Sequence, residues 1–345
     1  MRFLRRQWYM DIDATWEYRK ILDYCQGHEV PEYMLQQTIA WNEGLWKSYL
    51  NLLRRVGERF EGKVVVDFGC KYGHLLPLLI ILGVSKAIGI DVEESYIEVG
   101  RKVFEKLYPE VRILRSECGF IPLQPETVDL VLVNEVISHI NPGYLETLYS
   151  EIARILKHKG LVLVSDGNNA GNKRRREKLI SLYEAWEKGT DGFKVDRDTM
   201  VESYITRRKK IIQTKYPNLD LHKVDYLAQN TSGLFGDFLL QVIEEYMRTG
   251  DVICRPYRQG VYPTNPDHSG VVMERAFNPI QVEMSLSSYG LVSRQIFPKP
   301  TFSRSGIIST IKDILLLVRY LIENLLDPTW RRTQSEGFQI IGVKK

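Results

Sequence analysis

The feature that most constrains the fold is a short β-branched run, residues 63–67, which leads into a loop containing Gly69 and Gly73. A run of this length and composition predicts a buried strand rather than a helix. Glycine permits the left-handed backbone conformations that a tight loop requires. A second such run, residues 87–91, again ends in an acid. Two strands of this kind, separated by a segment of helical length, predict a parallel sheet whose ligand binds at the carboxyl ends of its strands.

The alternation of strands and helices extends well beyond this first unit. Further strands are predicted at 111–114, 128–133, 161–165, 291–297 and 338–343. Helices are predicted at 75–82, 95–107, 145–156, 179–188, 199–213, 235–248 and 279–289. We therefore expect an α/β, Rossmann-like, doubly wound seven-stranded sheet with an N-terminal helical cap and a mainly helical insertion after the fifth strand.

The same pattern divides the chain into four segments. We predict a helical cap at 1–62, a Rossmann-like core at 63–166, an inserted substrate or lid region at 167–275 and the completion of the core at 276–345. The last segment contains an apolar stretch, 306–326, interrupted by Lys312, Asp313, Arg319 and Glu323. Because of these charges, we expect a helix packed on the domain or in a homodimer interface rather than a membrane span. Peripheral contact with lipid is the alternative.

The strand-end motifs resemble the class I S-adenosylmethionine-dependent methyltransferases, and in particular the UbiE/type 11 group. The first motif of that family, Asp/Glu-x-Gly-x-Gly-x-Gly, is matched by Asp67, Gly69 and Gly73, whereas Lys71 replaces the middle glycine. Segments 128–139 and 156–164 are similar to the family's fourth-strand and fifth-strand motifs. Four ordered segments at family spacing are much more specific than a single glycine loop.

The resemblance implies S-adenosyl-L-methionine as the cofactor and assigns it a set of binding residues: Asp67, Gly69, Cys70, Gly73, Asp91, Val92, Glu117, Cys118 and Asn134. Asp91 is expected to accept hydrogen bonds from the ribose hydroxyls. Glu117 stands near the adenine, where the family more often has Asp. A nicotinamide-dinucleotide site is disfavoured, because Asp67 would face a pyrophosphate and the glycine spacing differs.

Methyl transfer to a hydroxyl or to a protonated amine benefits from a general base. The candidates are His139, Asp166 and His268, with Glu135 also near a strand end. Packing for His139 and a solvated loop for His268 are the structural alternatives. Asn168 and Asn169 follow the fifth strand and are predicted to contact the substrate, although this segment is also typical of a turn. We predict no metal site.

The net charge is only +4, from 47 Lys and Arg against 43 Asp and Glu, but cations concentrate after the fifth strand. The simplest interpretation is a solvated helix face, and the sharper one is an anionic acceptor. We expect a small-molecule or glycan acceptor methylated at oxygen. An RNA methyltransferase and a non-catalytic cofactor-binding relative are the alternatives. DNA is disfavoured because the fourth strand lacks the Asn/Asp-Pro-Pro-aromatic and Pro-Cys motifs of base-methylating enzymes.

The chain contains four cysteines, Cys25, Cys70, Cys118 and Cys254, and none forms a CxxC pair. This spacing suggests neither a zinc site nor a disulfide framework. Reduced thiols are typical of a reducing compartment, and the basic N-terminus is not followed by an apolar stretch. We therefore predict a cytoplasmic location.

Overall fold

The protein is described by a computed structural model. It covers residues 15–28, 43–117, 119–189, 202–251, 255–267, 270–296 and 335–345, together with Leu315, Val318 and Ile322. Two residues that the sequence assigned to the site, Cys118 and His268, lie outside the described residues.

Seven strands form one mixed sheet. They are β1 (Val64–Phe68), β2 (Lys86–Asp91), β3 (Val111–Arg115), β4 (Val128–Asn134), β5 (Leu156–Asp166), β6 (Leu291–Gln295) and β7 (Phe338–Lys344). Their order is β3-β2-β1-β4-β5-β7-β6. The first five strands pair in parallel, whereas β7 runs antiparallel to β5 and β6. The seven-stranded, Rossmann-like α/β fold is confirmed.

Helices cover both faces of the sheet. Those of the core are α1 (Thr15–Gly27), α2 (Glu43–Val56), α3 (Leu76–Ile81), α4 (Glu94–Gly100), α5 (Pro142–Ile155) and α10 (Pro279–Ser288). A π-helical turn, Arg101–Glu105, continues α4. The insertion contains α6 (Lys173–Lys188), α7 (Tyr204–Lys215), α8 (Leu221–Gln229) and α9 (Gly236–Thr249).

Each buried strand supplies apolar side chains to two separate clusters because successive residues point to opposite faces. In β1, Val65 packs with α1 to α4 on one face, and Val66 packs with α5 and α10 on the other. Both valines are fully buried. The N-terminal helices α1 and α2 are therefore part of the core packing, and α2 brings its buried residues against the central strands.

Helix α8 has no counterpart among the sequence-based predictions. Its start is set by Asp220, whose side chain accepts hydrogen bonds from the backbone N–H groups of His222 and Lys223. An aspartate at this position satisfies donors that the first helical turn leaves unpaired. The apolar residues of α8 are too few to produce a clear helical period on their own. They become buried only against α7 and α9, in a small apolar cluster that belongs to the insertion.

Strand β5 also begins earlier than predicted. The sequence Lys159-Gly160 was expected to form a turn, but it lies within β5, which starts at Leu156. The pairing register with β4 shifts between Val128 and Leu130, and Lys159 has a positive φ of 61°. These are the features of a β-bulge, which accommodates turn-forming residues inside a strand.

Most cations of the insertion are paired with carboxylates. Of the eleven lysines and arginines that the structure describes between residues 166 and 215, seven have an acidic partner: Lys173, Arg175, Lys188, Arg207, Arg208, Lys209 and Lys210. The excess of positive charge in the sequence is thus largely neutralised locally. This weakens the argument for an anionic acceptor and for RNA, because both depend on an unpaired positive surface.

The apolar stretch 306–326 is described at three positions only. Leu315, Val318 and Ile322 are helical, and each is about half exposed or more. The rest of this predicted helix lies outside the described residues. Within the part of the chain that the structure describes, we find no helix long and apolar enough to span a membrane.

The insertion is held by a fully buried ion pair between Arg208 in α7 and Glu187 in α6. Arg208 also donates a hydrogen bond from Nε to the carbonyl oxygen of Ala228 at 2.8 Å. We predict that Arg208→Met lowers the free energy of unfolding by about 3–5 kcal/mol, because it leaves the Glu187 carboxylate buried without its partner. Urea titration followed by tryptophan fluorescence measures this change.

The matched control is the neighbouring Lys209, whose ion pair with Asp225 is partly exposed. Lys209→Met should change the free energy of unfolding by no more than about 1 kcal/mol. Equal effects of the two substitutions would contradict the structural role of the buried pair.

Candidate functional site

The sheet order reverses direction between β1 and β4, and the carboxyl ends of these strands form the candidate site. In open α/β sheets, ligands bind in the crevice at such a switch point. Asp67 in β1, Asp91 in β2, Asn134 in β4 and Asp166 in β5 lie at this edge. Parallel pairing brings together residues that are far apart in the sequence.

Asp67 is a buried carboxylate at the floor of the crevice. Its side chain accepts a hydrogen bond at Oδ1 from the Tyr49 hydroxyl, which lies 3.1 Å away. Burial raises the pKa of Asp67 to about 7, and the charge of Asp91 acts in the same direction, while the Tyr49 hydrogen bond opposes the shift. A carboxylate in this environment favours a cationic neighbour, because a positive charge offsets the cost of desolvation.

Asp91 is held by three backbone N–H groups. Its Oδ2 accepts a hydrogen bond from Lys71 at 2.8 Å, and its Oδ1 accepts from Val92 at 2.8 Å and from Glu93 at 3.1 Å. These bonds fix the carboxylate at the end of β2 and lower its pKa, although burial raises the pKa by more. Each carboxylate oxygen has two lone pairs, so Oδ2, which accepts only one of these three bonds, can still accept a hydrogen bond from a hydroxyl of a ribose.

The glycines of the loop are required by contacts within the protein. Gly69 has φ of 76°, and a Cβ there would lie 2.3 Å from a methyl group of Val136. Gly73 has φ of 83°, and its Cβ would lie 2.6 Å from a methyl group of Ile113. The loop therefore packs directly against β3 and against the segment that follows β4.

The other predicted cofactor residues occupy different positions around the crevice. Cys70 is buried and points inward, and a Cβ on Gly89 would contact its Sγ, so Cys70 offers the crevice its backbone only. Val92 is 37 % exposed, so its apolar side chain is accessible to a ligand such as an adenine ring. Glu117 is largely exposed and lies 3.6 Å from Arg115. Asn134 lies at the end of β4 and is partly exposed.

His139 lies beyond the end of β4 in a short 3-10 turn. Its Nδ1 is 3.2 Å from the carbonyl oxygen of Val272, and the backbone of Val272 donates back to the carbonyl of His139 at 3.0 Å. A carbonyl oxygen only accepts, so Nδ1 must carry the hydrogen in this contact. In a neutral imidazole, this contact leaves the lone pair on Nε2.

Asp166 does not fit the catalytic role that the sequence suggested. Its side chain is buried, with 1 % exposure, and both carboxylate oxygens are occupied. Oδ1 accepts from the backbone of Asn168 at 2.9 Å, and Oδ2 accepts from the backbone of Ser138 at 3.1 Å. Burial raises its pKa to about 6. Asp166 therefore positions the residue before His139 rather than touching an acceptor.

Two carboxylates at adjacent strand ends, one desolvated and one fixed by N–H donors, suit a cofactor that carries an ammonium, a sulfonium and ribose hydroxyls. The donor set therefore fits S-adenosylmethionine. Residues 65–160 also match a family model described as a methyltransferase domain. The chain contains a class I S-adenosylmethionine-dependent methyltransferase domain. S-adenosyl-L-methionine is the cofactor of this family.

Curated relatives support the same assignment for the core. A ribosomal protein L11 methyltransferase of Mannheimia succiniciproducens is 29 % identical over 45 % of this chain and 53 % of the relative. A probable S-adenosylmethionine-dependent methyltransferase of Mycobacterium tuberculosis is 25 % identical over 43 % of this chain and 52 % of the relative. The match thus spans only about half the length of these relatives.

Solved structures align over most of the chain but with low similarity. The YcgJ protein of Bacillus subtilis covers 86 % of this chain and 99 % of its own, at 14 % identity and a TM-score of 0.42. An S-adenosylmethionine-dependent methyltransferase from Mesorhizobium loti covers 85 % and 95 %, at 14 % identity and a TM-score of 0.40.

In the methyltransferase domain, Asn168 and Asn169 do not face the crevice as expected. Both are buried. Asn168 accepts a hydrogen bond from Arg175 Nε at 2.8 Å, and Asn169 donates from Nδ2 to the Ser335 hydroxyl at 3.2 Å. These contacts join the start of the insertion to the approach to β7. The predicted role in substrate contact is therefore not supported by their position.

Two residues of the site were missed or undervalued by sequence reasoning. Tyr49 lies among the buried apolar residues of α2, and no motif marks it as a site residue, yet its hydroxyl donates a hydrogen bond to Asp67. Glu135 was one candidate among several, but its backbone has a strained φ of 57°, and its exposed carboxylate accepts from the backbone of Gly167 at 2.9 Å. Non-glycine residues with such φ values cluster at functional sites.

The raised pKa of Asp67 predicts that the free energy of unfolding depends on pH. Its pKa is about 7 in the folded protein against an ordinary 3.8, so the folded state binds the proton more tightly. The contribution of Asp67 to the free energy of unfolding therefore falls as pH rises from about 4 to about 7. We predict that Asp67→Asn stabilises the cofactor-free protein at pH 8 by up to a few kcal/mol, at about 1.4 kcal/mol per pKa unit.

The gain should shrink towards pH 4, and the same substitution should weaken cofactor binding because it removes the negative charge. Denaturant unfolding at several pH values and calorimetric titration measure the two effects. As a control, Asp129→Asn removes a carboxylate that is paired with Lys157, and should not stabilise the protein at pH 8. A destabilised Asp67→Asn variant at pH 8 would contradict the proposed desolvation cost.

Proposed function

We propose that this protein transfers a methyl group from S-adenosylmethionine to a hydroxyl of a small-molecule or glycan acceptor. The observation that carries this proposal is the 3.2 Å contact between Nδ1 of His139 and the carbonyl oxygen of Val272. In a neutral imidazole this contact places the hydrogen on Nδ1 and the lone pair on Nε2, and a lone pair of this kind is what deprotonation of a hydroxyl requires. A neutral amine acceptor would not need such a base.

When bound, S-adenosylmethionine supplies an electrophilic methyl group on a sulfonium. Asp91 would accept a hydrogen bond from a ribose hydroxyl, and the Asp67 carboxylate would supply negative charge for the ammonium group. The loop between them supplies backbone contacts, because its side chains at Cys70 and Tyr72 point into the core. These residues would bind and orient the cofactor. The segments that follow β4 and β5 would contact the acceptor.

On the acceptor side, we assign the proton-accepting role to His139. Its Nε2 would accept the hydroxyl proton while the oxygen–methyl bond forms and the methyl–sulfur bond breaks, so that the cofactor leaves as the neutral thioether. Asp166 fixes the backbone at Ser138, and the 272–275 segment packs on the same turn, since Arg275 donates from its backbone to the carbonyl of Ser138 at 2.8 Å. The histidine is thus positioned from both sides, as efficient general-base catalysis requires.

The structure favours this acceptor class over RNA. An RNA methyltransferase would use the cations of the insertion, but seven of them are already paired with carboxylates. Ion-paired side chains contribute little to phosphate binding because the pair must first be broken. A neutral hydroxyl acceptor needs no such positive surface.

The direct test is a screen of cofactor consumption against fractions of a cell extract, with the mass and fragmentation of the methylated product. We expect a methyl ether. Failure of the protein to bind S-adenosylmethionine or S-adenosylhomocysteine in calorimetric titration would overturn the proposal, and a product methylated at nitrogen would overturn the assignment to oxygen.

We predict that His139→Asn lowers kcat by about 10²–10⁴-fold. Asparagine retains a donor for the Val272 carbonyl but cannot accept a proton, so the fold and the cofactor affinity should be preserved. The measurement is the steady-state rate with the identified acceptor, together with the cofactor Kd. His158 lies exposed at the opposite end of the sheet, and His158→Asn should leave kcat unchanged. Wild-type kcat in His139→Asn would exclude the general-base role.

A further inference from the structure

A cavity of about 360 Å³ lies within the helical insertion, and none of its lining residues belongs to the sheet. The first two turns of α9 form one wall, where Phe238, Gln241 and Val242 share a face because they are three and four residues apart. Ligand cavities in proteins have volumes from about 300 Å³. The cavity is therefore large enough for a small organic molecule. The other lining residues lie in the chain on either side of α9: Gly233, Leu234, Phe235 and Arg255.

Two phenylalanines give the cavity an aromatic surface. The rings of Phe235 and Phe238 pack edge to face, with centroids 5.6 Å apart. Phe238 is 56 % exposed, although Leu239 and Ile243 of the same helix are fully buried in the apolar cluster of the insertion. The ring of Phe238 therefore faces the cavity rather than the core, and it is available to pack against a second planar group.

The ring of Phe235 is held in place from behind by the loop that follows the insertion's last helix. Gly270 has a φ of 58°, and a Cβ there would lie 2.4 Å from Cε2 of Phe235. Only glycine lets this backbone approach the ring so closely. The backbone N–H of Gly236 also donates to the carbonyl oxygen of Pro266 at 3.0 Å. This wall of the cavity is thus preformed, which lowers the entropic cost of binding.

Arg255 gives the cavity a positive charge. Its backbone is fixed, since its N–H donates to the carbonyl oxygen of Asn230 at 2.8 Å and its carbonyl accepts from the N–H of Ser232 at 2.9 Å. Its side chain is exposed, and among the ion pairs of the described residues none includes Arg255. The described residues that line the cavity include no acid. Charge complementarity therefore favours an anionic occupant.

We propose that this cavity binds an aromatic acid, a small molecule in which a planar ring carries a carboxylate. The ring packs against Phe235 and Phe238, and the carboxylate pairs with the guanidinium of Arg255, whose N–H groups match a carboxylate in geometry. An inorganic anion would gain only an exposed ion pair, which contributes little. The site is separate from the crevice at the strand ends, and the inference does not rest on the proposed function.

The test compares 1-naphthoate with 1-naphthamide, which has nearly the same shape but no charge, by calorimetric titration of the full chain. We expect naphthoate to bind about threefold to tenfold more tightly, as one partly screened ion pair allows. Arg255→Gln should abolish this difference and leave the Kd of naphthamide unchanged. The matched control is Arg258→Gln, because Arg258 is also exposed but does not line the cavity. It should keep the wild-type ratio of the two Kd values.

The aromatic contact is tested by Phe238→Ala, which should weaken the binding of both molecules by about tenfold. Met247→Ala is its control, since Met247 is 48 % exposed on the same helix and lies outside the cavity. Both Kd values should stay the same when S-adenosylhomocysteine is present in excess. Failure of S-adenosylhomocysteine to bind would count against the proposed function alone.

Three results would overturn the inference: no binding of naphthoate, an unchanged ratio in Arg255→Gln, or displacement of naphthoate by S-adenosylhomocysteine. A dimer in sedimentation velocity that Phe238→Ala dissociates would assign this surface to a second copy of the chain, and would overturn it as well.

Discussion

The burial of the Asp67 carboxylate beside Asp91 is the constraint around which this site is built. A desolvated acid at the end of a central strand is unfavourable in the free protein, and its pKa of about 7 expresses that cost. The protein limits the cost with the hydroxyl of Tyr49, supplied by an N-terminal helix. Helix α2 must therefore pack on the sheet before Tyr49 can reach Asp67. Folding of this helix and assembly of the site are thus coupled.

The core of the fold follows closely from sequence because its determinants are local. Val65 and Val66 alternate between two faces, and Asn278 and Pro279 mark the start of α10, where the Asn278 side chain caps the backbone of Ile280. Each of these signals lies within a few residues of the element that it specifies. The acids Asp67 and Asp91 were likewise identifiable, because each ends a strand and parallel pairing brings those ends to one edge.

Sequence reasoning was less successful where a role depends on partners distant in the chain. Asp166 and Asn169 lie at the end of a strand of the site, yet their buried side chains are bonded to Ser138 and Ser335, which only the folded chain brings near. The net charge of the insertion also depends on partners that are distant in the sequence. Arg207 meets Asp267, and Arg208 meets Glu187, so a count of nearby residues in the sequence overstates the positive surface. The tautomer of His139 depends on Val272 in the same way.

The insertion leaves the sheet and returns to it at one place. The backbone of Asn169 donates to Glu336 at 2.9 Å, that of Ala170 donates to Phe277 at 2.8 Å, and that of Phe277 donates to Asn168 at 2.8 Å. The segment of about a hundred residues between these positions therefore begins and ends at the same place on the sheet. It contains an apolar cluster of its own. Changes in the length of such an insertion alter the entropic cost of loop closure only slightly, and they do not shift the register of the sheet. The insertion can therefore change as a unit, while the ends of β1 and β2 remain under the separate constraint of their buried acids.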